Sequence, residues 1–179
     1  MRINAGKYRN HNIEITNLET TRETSDKVRQ AIFNLIGQFF DGEVVLDLFA
    51  GSGAMGLEAI SRGASKAYFN DINAKALEVV KKNIVKLRVE DQCELKNLDY
   101  KSYLESSNQK FDIIFLDPPY KMNNVDEILK LIKEKNLLAQ KGIIAFEMEA
   151  QTNPESQYYS ILKDRSYGIK RVVIYEGEK

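Results

Sequence analysis

The sequence predicts an α/β fold in which a mostly parallel sheet carries helices on both faces. From residue 43 onward, short apolar segments alternate with amphipathic ones, as strands and helices do along such a sheet. A glycine-rich turn follows the first of these strands and opens a helix, and two apolar segments near the end of the chain are typical of a strand pair. We therefore expect seven strands, with an antiparallel edge strand supplied by the closing pair.

The composition indicates one folded unit that needs neither disulfides nor metal. The chain has 179 residues, of which 43% are hydrophobic and 29% charged, and this is enough to bury a sizeable core. Cys93 is the single cysteine and His11 the single histidine, which disfavours a disulfide, a Cys- or His-rich metal site and a Ser–His–Asp triad. No signal peptide and no apolar run of membrane-spanning length are evident, so we expect a cytoplasmic protein without a membrane partner.

The beginning of the chain is predicted to form a small hairpin. Residues 2–15 contain suitable apolar and turn residues. The first eleven residues hold three basic side chains and no acid: Arg2, Lys7 and Arg9. The whole chain has 26 basic and 26 acidic residues and hence no net charge, so a nucleic-acid partner has to be argued from this local cluster.

The remaining elements follow from hydrophobic periodicity. A helix capped by Thr24 or Ser25 is expected to run to about residue 40. Further helices are expected at residues 54–62, 74–87 and 125–133, and strands at residues 44–48, 66–70, 93–98, 111–116, 142–148, 158–162 and 170–175. We divide the chain into a hairpin segment, residues 1–23, and a main domain, residues 24–179, which we expect to fold without the hairpin.

The residues that follow the strands are the candidate site, because open parallel sheets bind ligands beyond the carboxyl ends of their strands. The first strand is followed by Gly51, Gly53 and Gly56, which fit G-x-G-x-x-G between a strand and a helix and indicate a nucleoside cofactor. The second strand is followed by Asp71, twenty residues after Gly51, where an acid can accept hydrogen bonds from both ribose hydroxyls.

Two further aspartates favour S-adenosylmethionine over a dinucleotide. Asp47 stands just ahead of the glycines, where it can face a cationic amino-acid tail, whereas a pyrophosphate at the helix N-terminus would meet a carboxylate. Asp99 follows the third strand, where it can meet an adenine amino group or cap a turn. An NAD-dependent oxidoreductase stays an alternative, although the sequence offers no obvious proton-transfer pair for it.

The fourth strand is followed by the tetrapeptide Asp117-Pro118-Pro119-Tyr120. Two successive prolines donate no backbone hydrogen bond and fix φ, so they form a rigid arm. This arm presents the Asp117 carboxylate, the Pro118 carbonyl and the Tyr120 ring to one space. Two acceptors and a stacking surface suit a planar base with an exocyclic amine.

The motifs DLFAGSGAMG, at residues 47–56, and FLDPPY, at residues 115–120, resemble those of class I, S-adenosylmethionine-dependent amino-methyltransferases, which have a Rossmann-like fold. The N-terminal third is more specific. Residues 21–30, TRETSDKVRQ, with the following Phe33 and Asn34, resemble the T-R-P-T-x-D-x-V-R-E…F-N segment of the RsmD family. These proteins are bacterial 16S ribosomal RNA guanine-N2 methyltransferases, and the resemblance covers the whole chain.

The resemblance implies methyl transfer from S-adenosyl-L-methionine to the N2 amine of a guanine in 16S ribosomal RNA, as naked RNA or within an assembling small subunit. It implies catalytic roles for Asp117, Pro118 and Tyr120. It implies cofactor contacts by Asp47, Phe49, Gly51, Gly53, Asp71 and Asp99, and RNA contacts by Arg2, Lys7, Arg9, Arg22 and Arg29. A DNA adenine-N6 methyltransferase would share the DPPY motif and stays an alternative, although the chain has no room for a separate target-recognition domain.

Overall fold

A computed structural model describes residues 1–18, 24–119, 122 and 124–177, and these residues contain one seven-stranded sheet. The strands are β1 (Val44–Asp47), β2 (Lys66–Asn70), β3 (Cys93–Lys96), β4 (Phe111–Leu116), β5 (Leu138–Glu149), β6 (Ser160–Tyr167) and β7 (Lys170–Glu176). Their order is β3-β2-β1-β4-β5-β7-β6. The first five strands are parallel, and β7 is antiparallel to both β5 and β6. The predicted fold class is confirmed, with the antiparallel strand one position inside the edge.

Helices cover both faces of this sheet. They are α1 (Asp26–Ile36), α2 (Ala54–Ser61), α3 (Ala74–Leu87), α4 (Tyr100–Ser106) and α5 (Val125–Glu134). Successive strand residues point to opposite faces, so Val45 packs in the core beneath α1, α2 and α3, and Leu46 packs in the core beneath α4 and α5. No helix within the described ranges is long and apolar enough to cross a membrane.

Most predicted elements are present, with shifted ends. Helix α1 ends at Ile36, four residues earlier than expected, because Gly37 follows with φ of 118° and its N–H donates to the Phe33 carbonyl. Helix α4 was not predicted, since its seven residues are too few for a clear period. Strand β5 begins at Leu138 rather than residue 142 because Leu138 pairs with Phe111 of β4.

The N-terminal segment packs tightly on α2. In residues 1–18 the hairpin ladder consists of a bridge between Arg2 and Asn12. Ile3 is fully buried in the core beneath α1, α2 and α3. A Cβ on Gly6 would lie 1.8 Å from the Ser61 carbonyl oxygen, so only glycine permits this close approach to the end of α2.

This packing contradicts the expectation that the main domain folds without the hairpin segment. Removing residues 1–15 would uncover apolar surface of the shared core and remove the hydrogen bonds to α2. The predicted boundary between residues 23 and 24 adjoins residues 19–23, which lie outside the described residues, so the division itself stays a prediction.

Candidate active site

A cavity of about 540 Å³ lies at the carboxyl ends of the parallel strands. It is lined mainly by the ends of β1, β2 and β4 with the loops that follow them, by the loop after β3, and by residues of β5 and β7. Among the described residues, its lining contains one lysine, Lys170, and five carboxylates, which belong to Asp47, Asp71, Asp99, Asp117 and Glu147. The fold thus brings together the four aspartates that the sequence indicated, and adds Glu147 and Lys170 to them.

The glycine turn after β1 is hydrogen-bonded to the residue that follows β2. Gly51 and Gly53 have φ values of 55° and 82°, which favour glycine. The Gly51 N–H donates to Asp71 Oδ2 at 2.9 Å, and the Asn73 N–H donates to Asp71 Oδ1 at 2.8 Å. Gly51 lines the cavity, whereas Gly53 is the N-cap of α2 and lies outside the lining. A carboxylate accepts about four hydrogen bonds, so Asp71 can hold the turn and still accept from ribose hydroxyls.

Asp47 faces the N-terminal end of α2. Its carboxylate is buried, with 4% of the residue exposed, and Oδ2 accepts a hydrogen bond from the Gly56 N–H at 3.1 Å. The negative charge offsets the positive end of the helix dipole. A pyrophosphate would have to bind at this helix end beside a buried carboxylate, so the geometry disfavours a dinucleotide.

Asn70, which the sequence reasoning did not select, connects the loops that follow β1 and β3. Its Nδ2 donates to the Leu48 carbonyl at 3.3 Å and to the Leu98 carbonyl at 2.9 Å, and its Oδ1 accepts from the Leu98 N–H at 3.2 Å. The residue is 1% exposed, so these bonds satisfy a buried amide and fix the loop that carries Asp99. An amide at the end of an apolar strand was the available signal.

Asp99 caps a helix and also lines the cavity. It is the N-cap of α4, where Oδ1 accepts from the Ser102 N–H at 3.0 Å and Oδ2 from the Ser102 hydroxyl at 2.6 Å. These bonds lower the pKa of Asp99, and the bond from the Ser102 hydroxyl has the largest effect. Because Asp99 also lines the cavity, the capping interpretation and the ligand interpretation are compatible.

An apolar wall stands next to Asp99. The Phe49 and Tyr100 rings pack with their centres 5.8 Å apart, and both residues line the cavity. Ile72 also lines it although 73% of the residue is exposed. An apolar wall beside carboxylate acceptors suits an adenine ring with its amino group.

Asp117 contacts residues that sequence reasoning missed. The Thr24 hydroxyl lies 2.8 Å from Asp117 Oδ2 and 3.2 Å from Glu147 Oε2. On its other side, Glu147 Oε1 lies 3.0 Å from Lys170 Nζ. Thr24 is 93 residues from Asp117 and 123 from Glu147, so no local pattern could reveal this cluster. Pro118 lines the cavity as expected, while Tyr120 lies outside the described residues and its stacking role stays a prediction.

The predicted RNA contact of Arg29 is wrong. Its side chain is fully buried, its Nη2 donates to Asp26 Oδ1 at 2.6 Å and to the Arg2 carbonyl, and its Nε lies 3.7 Å from Glu58 Oε2. A guanidinium in this position joins α1, α2 and the N-terminal segment, and phosphates cannot reach it. Of the other residues predicted to contact RNA, Arg2, Lys7 and Arg9 are exposed, and Arg22 lies outside the described residues.

Lys7 lies at the end of α2 that is remote from the cavity. Its N–H donates to the Ser61 carbonyl at 2.8 Å, whereas Ala54 and Met55 at the other end of α2 line the cavity. Ala54 and Ser61 are separated by about 10 Å along the helix, at 1.5 Å per residue. Lys7 therefore lies well away from the cavity.

The fold and the cavity define a Rossmann-like class I methyltransferase, which uses S-adenosylmethionine. Five carboxylates against one lysine suit a sulfonium cation with an amino group, and would repel a diphosphate. The comparisons with known proteins agree. A family model described as "Conserved hypothetical protein 95" matches residues 1–176. The chain belongs to this family, the RsmD family of ribosomal RNA methyltransferases, which confirms the resemblance seen in the sequence.

Individual relatives match over nearly the full length. YlbH of Bacillus subtilis is 36% identical over 181 residues, which cover 98% of each chain. Ribosomal RNA small subunit methyltransferase D of Haemophilus influenzae is 32% identical over 183 residues, covering 99% of this chain and 94% of that protein. The solved structure of yhhF from Escherichia coli superposes with a TM-score of 0.89 at 27% identity, covering 99% of this chain and 98% of the other.

Proposed function

We propose that this protein transfers a methyl group from S-adenosyl-L-methionine to the exocyclic N2 amine of a guanine in 16S ribosomal RNA. The observation that carries the proposal is the position of Asp117. Its carboxylate follows β4 in an acidic cavity, is held by the Thr24 hydroxyl, and stands beside the Pro118 carbonyl. These acceptors match an amine that offers two hydrogens.

The amine is a poor nucleophile because its lone pair is conjugated with the purine ring. Asp117 and the Pro118 carbonyl would accept its two hydrogens and direct the lone pair toward the methyl group. They would also stabilise the positive charge that develops on nitrogen, which is electrostatic catalysis by preorganised acceptors. The bound cofactor would supply an electrophilic methyl group on sulfur. Transfer would form the C–N bond and leave the electrons of the broken C–S bond on sulfur, and the N–H proton that is lost would pass to water.

The other half of the cavity is proposed to hold the cofactor. Asp71 would accept from the ribose hydroxyls, with Gly51 giving close backbone approach. Asp47 would face the amino-acid tail, and Phe49 and Asp99 would bound the adenine. Each role follows from the residue's position in the lining and its acceptor capacity.

The RNA is proposed to run from the cavity toward the N-terminal segment, where Arg2, Lys7 and Arg9 would contact phosphates. The target base has to leave its stack to enter the cavity, and Tyr120 would offer roughly 1–3 kcal/mol of stacking in return. We place this reaction in the cytoplasm, on naked 16S RNA or on an assembling small subunit.

The proposal is tested by methylation in vitro. The protein is incubated with methyl-labelled S-adenosylmethionine and, separately, with 16S RNA, with small subunits from cells that lack the protein, and with duplex DNA. Mass spectrometry of the nucleosides should give N2-methylguanosine from one of the RNA substrates, and the position is then mapped. N6-methyladenine from the DNA sample would contradict the proposal and support the alternative.

We expect Asp117→Ala to reduce methyl transfer by at least about 100-fold, because losing one preorganised partner of the developing charge has an effect of this size. Cofactor affinity measured by calorimetry should stay nearly unchanged, since Asp117 is assigned to the amine. The matched control is Asp91→Ala at an exposed site outside the cavity. Lost cofactor binding in Asp117→Ala would move this carboxylate to the cofactor site.

A further inference from the structure

Beyond Asp117, the side of the cavity that is proposed to hold the methyl-accepting base contains an ordered row of polar groups. Lys170 Nζ lies 3.0 Å from Glu147 Oε1, and the Thr24 hydroxyl lies between Glu147 Oε2 and Asp117 Oδ2, at 3.2 and 2.8 Å. The order in space is therefore a donor, Lys170, then an acceptor, Glu147, and then a second acceptor, Asp117. All four residues line the cavity.

The row is built firmly into the sheet. Glu147 is 4% exposed, and the Lys170 side chain is 18% exposed. Lys170 pairs with Glu149 across β5 and β7, so Glu147 and Lys170 are diagonal neighbours on adjacent strands. A buried carboxylate with a lysine amine 3.0 Å away has a fixed position, which makes it a selective acceptor.

The hydrogen-bonding edge of guanine presents the complementary order. O6 accepts, N1–H donates, and the N2 amine donates. We propose that Lys170 and Glu147 recognise this edge: Lys170 donates to O6, Glu147 accepts from N1–H, and Asp117 accepts from the N2 amine. The inference rests on the proposed function, because it takes the Asp117 position as that of the reacting amine.

Other bases with an exocyclic amine do not fit the row. When the adenine amine is placed at Asp117, the adjacent ring N1 is an acceptor and faces the Glu147 carboxylate. Cytosine has the same defect, since its N3 accepts. A ring nitrogen that accepts would then face a buried carboxylate with no hydrogen between the two, and sites built around hydrogen bonds reject such analogues strongly. Glu147 and Lys170 are thus specificity-determining residues that distinguish guanine from adenine.

Thr24 sets the spacing within this row. Its single hydroxyl proton is donated to one carboxylate at a time, and its oxygen keeps the two acids apart. Each carboxylate accepts about four hydrogen bonds, so the bonds to Thr24 and Lys170 are compatible with bonds to a base.

The test uses base analogues at the mapped target position. The wild-type protein is given RNA that carries guanine, 2-aminopurine, 2,6-diaminopurine or inosine there, and kcat/KM for methyl transfer is measured. The first three keep the N2 amine, but both analogues have an acceptor at N1, and 2,6-diaminopurine also has an amine at C6. Inosine lacks the N2 amine and serves as the blank. We expect guanine to be preferred over 2,6-diaminopurine by about 10- to 100-fold, the range expected for an unpaired buried polar group.

Glu147→Gln should reduce this preference at least about fivefold, because an amide can donate to N1 as well as accept from N1–H. Lys170→Met should bring the kcat/KM values for 2-aminopurine and 2,6-diaminopurine closer together, because it removes the donor that opposes a C6 amine. The two variants test different positions of the base, so one remains informative if the other fails to fold. Glu134→Gln, at the exposed end of α5, is the matched control and should keep the wild-type rate and preference.

Two results would overturn the inference alone: unchanged preferences in folded Glu147→Gln or Lys170→Met, or a loss of cofactor affinity in Glu147→Gln with the preference intact. The second result would assign Glu147 to the cofactor. If the wild-type protein transfers no methyl group to guanine in any RNA, the proposed function fails and this inference fails with it.

Discussion

Asp71 shows how one side chain can support the backbone and still be available to a ligand. Its two oxygens accept N–H groups from the glycine turn and from Asn73, which joins the loops after β1 and β2. The carboxylate is therefore fixed before any ligand binds. Preorganisation of this kind reduces the ordering cost of binding.

We expect Asp71→Ala to weaken the affinity for S-adenosylmethionine by about 1–3 kcal/mol, because the ribose hydroxyls lose their acceptor and the Gly51 N–H loses its partner. Calorimetry with S-adenosylhomocysteine measures this change. The affinity of Asp71→Asn, which keeps one acceptor oxygen, should lie between those of the wild type and of Asp71→Ala. An unchanged dissociation constant in Asp71→Ala would place the ribose elsewhere.

Residues of the site were predictable where their chemistry follows a strand directly. Asp47 ends an apolar strand and Asp71 and Asp117 each follow one, and the general rule for open sheets brings such positions together. Thr24, Glu147 and Lys170 belong to different elements and meet only in the folded chain. Arg29 was misassigned for the same reason, because its buried partner Glu58 is distant in sequence.

At the scale of elements, α2 is joined to the N-terminal segment through Glu58. This carboxylate is fully buried, accepts from the Asn4 N–H at 2.9 Å and the Ala5 N–H at 3.0 Å, and lies 2.9 Å from Arg62 Nε. It also lies near Arg29 of α1. One acid thus contacts two buried arginines and accepts two backbone donors.

We expect Glu58→Gln to lower the free energy of unfolding by roughly 3–5 kcal/mol, as breaking a buried ion pair does when its partners stay charged and buried. Urea unfolding measures this change. Glu78→Gln on the exposed face of α3 is the control and should stay within about 0.5 kcal/mol of the wild type. Equal stability of the two variants would mean that the cluster is compensated by other groups.

The elements themselves were predictable because strands buried on both faces are short continuous apolar runs, whereas the helices that cover them keep an apolar period of 3.6 residues. The bounds of β2, β4 and α3 agree with the sequence-based ranges. Helix α4 was missed because it has too few residues for a clear period. The predicted N-terminal hairpin is present as a bridge between Arg2 and Asn12, but its packing on α2 was not predicted. Packing of this kind depends on contacts that are remote in sequence.

At the scale of the whole molecule, RNA binding has to be tested with point variants, because a deletion of residues 1–15 would also damage the core. We expect Lys7→Ala with Arg9→Ala to lower the log–log salt slope of RNA binding by about 1.4, at about 0.7 per phosphate contact on single strands. Cofactor affinity should not change. Binding is measured by fluorescence anisotropy across a salt series.

The control for this measurement is Lys81→Ala with Lys82→Ala, two exposed lysines on α3. It should leave the slope close to that of the wild type. If the α3 pair lowers the slope and the N-terminal pair does not, the RNA lies along α3.

The order of the strands has a consequence for how this protein could change its target. Asp71 and Asp99 come from the β2 and β3 side of the sheet, whereas Asp117, Glu147 and Lys170 come from β4, β5 and β7, with β1 between the two groups. The two sets of residues lie on separate stretches of the chain, before and after residue 110. Under the proposed roles, substitutions in the later stretch would redirect the enzyme to another nucleobase while the earlier stretch keeps the methyl donor, and Thr24 is the one member of the row that would have to be matched from the start of the chain.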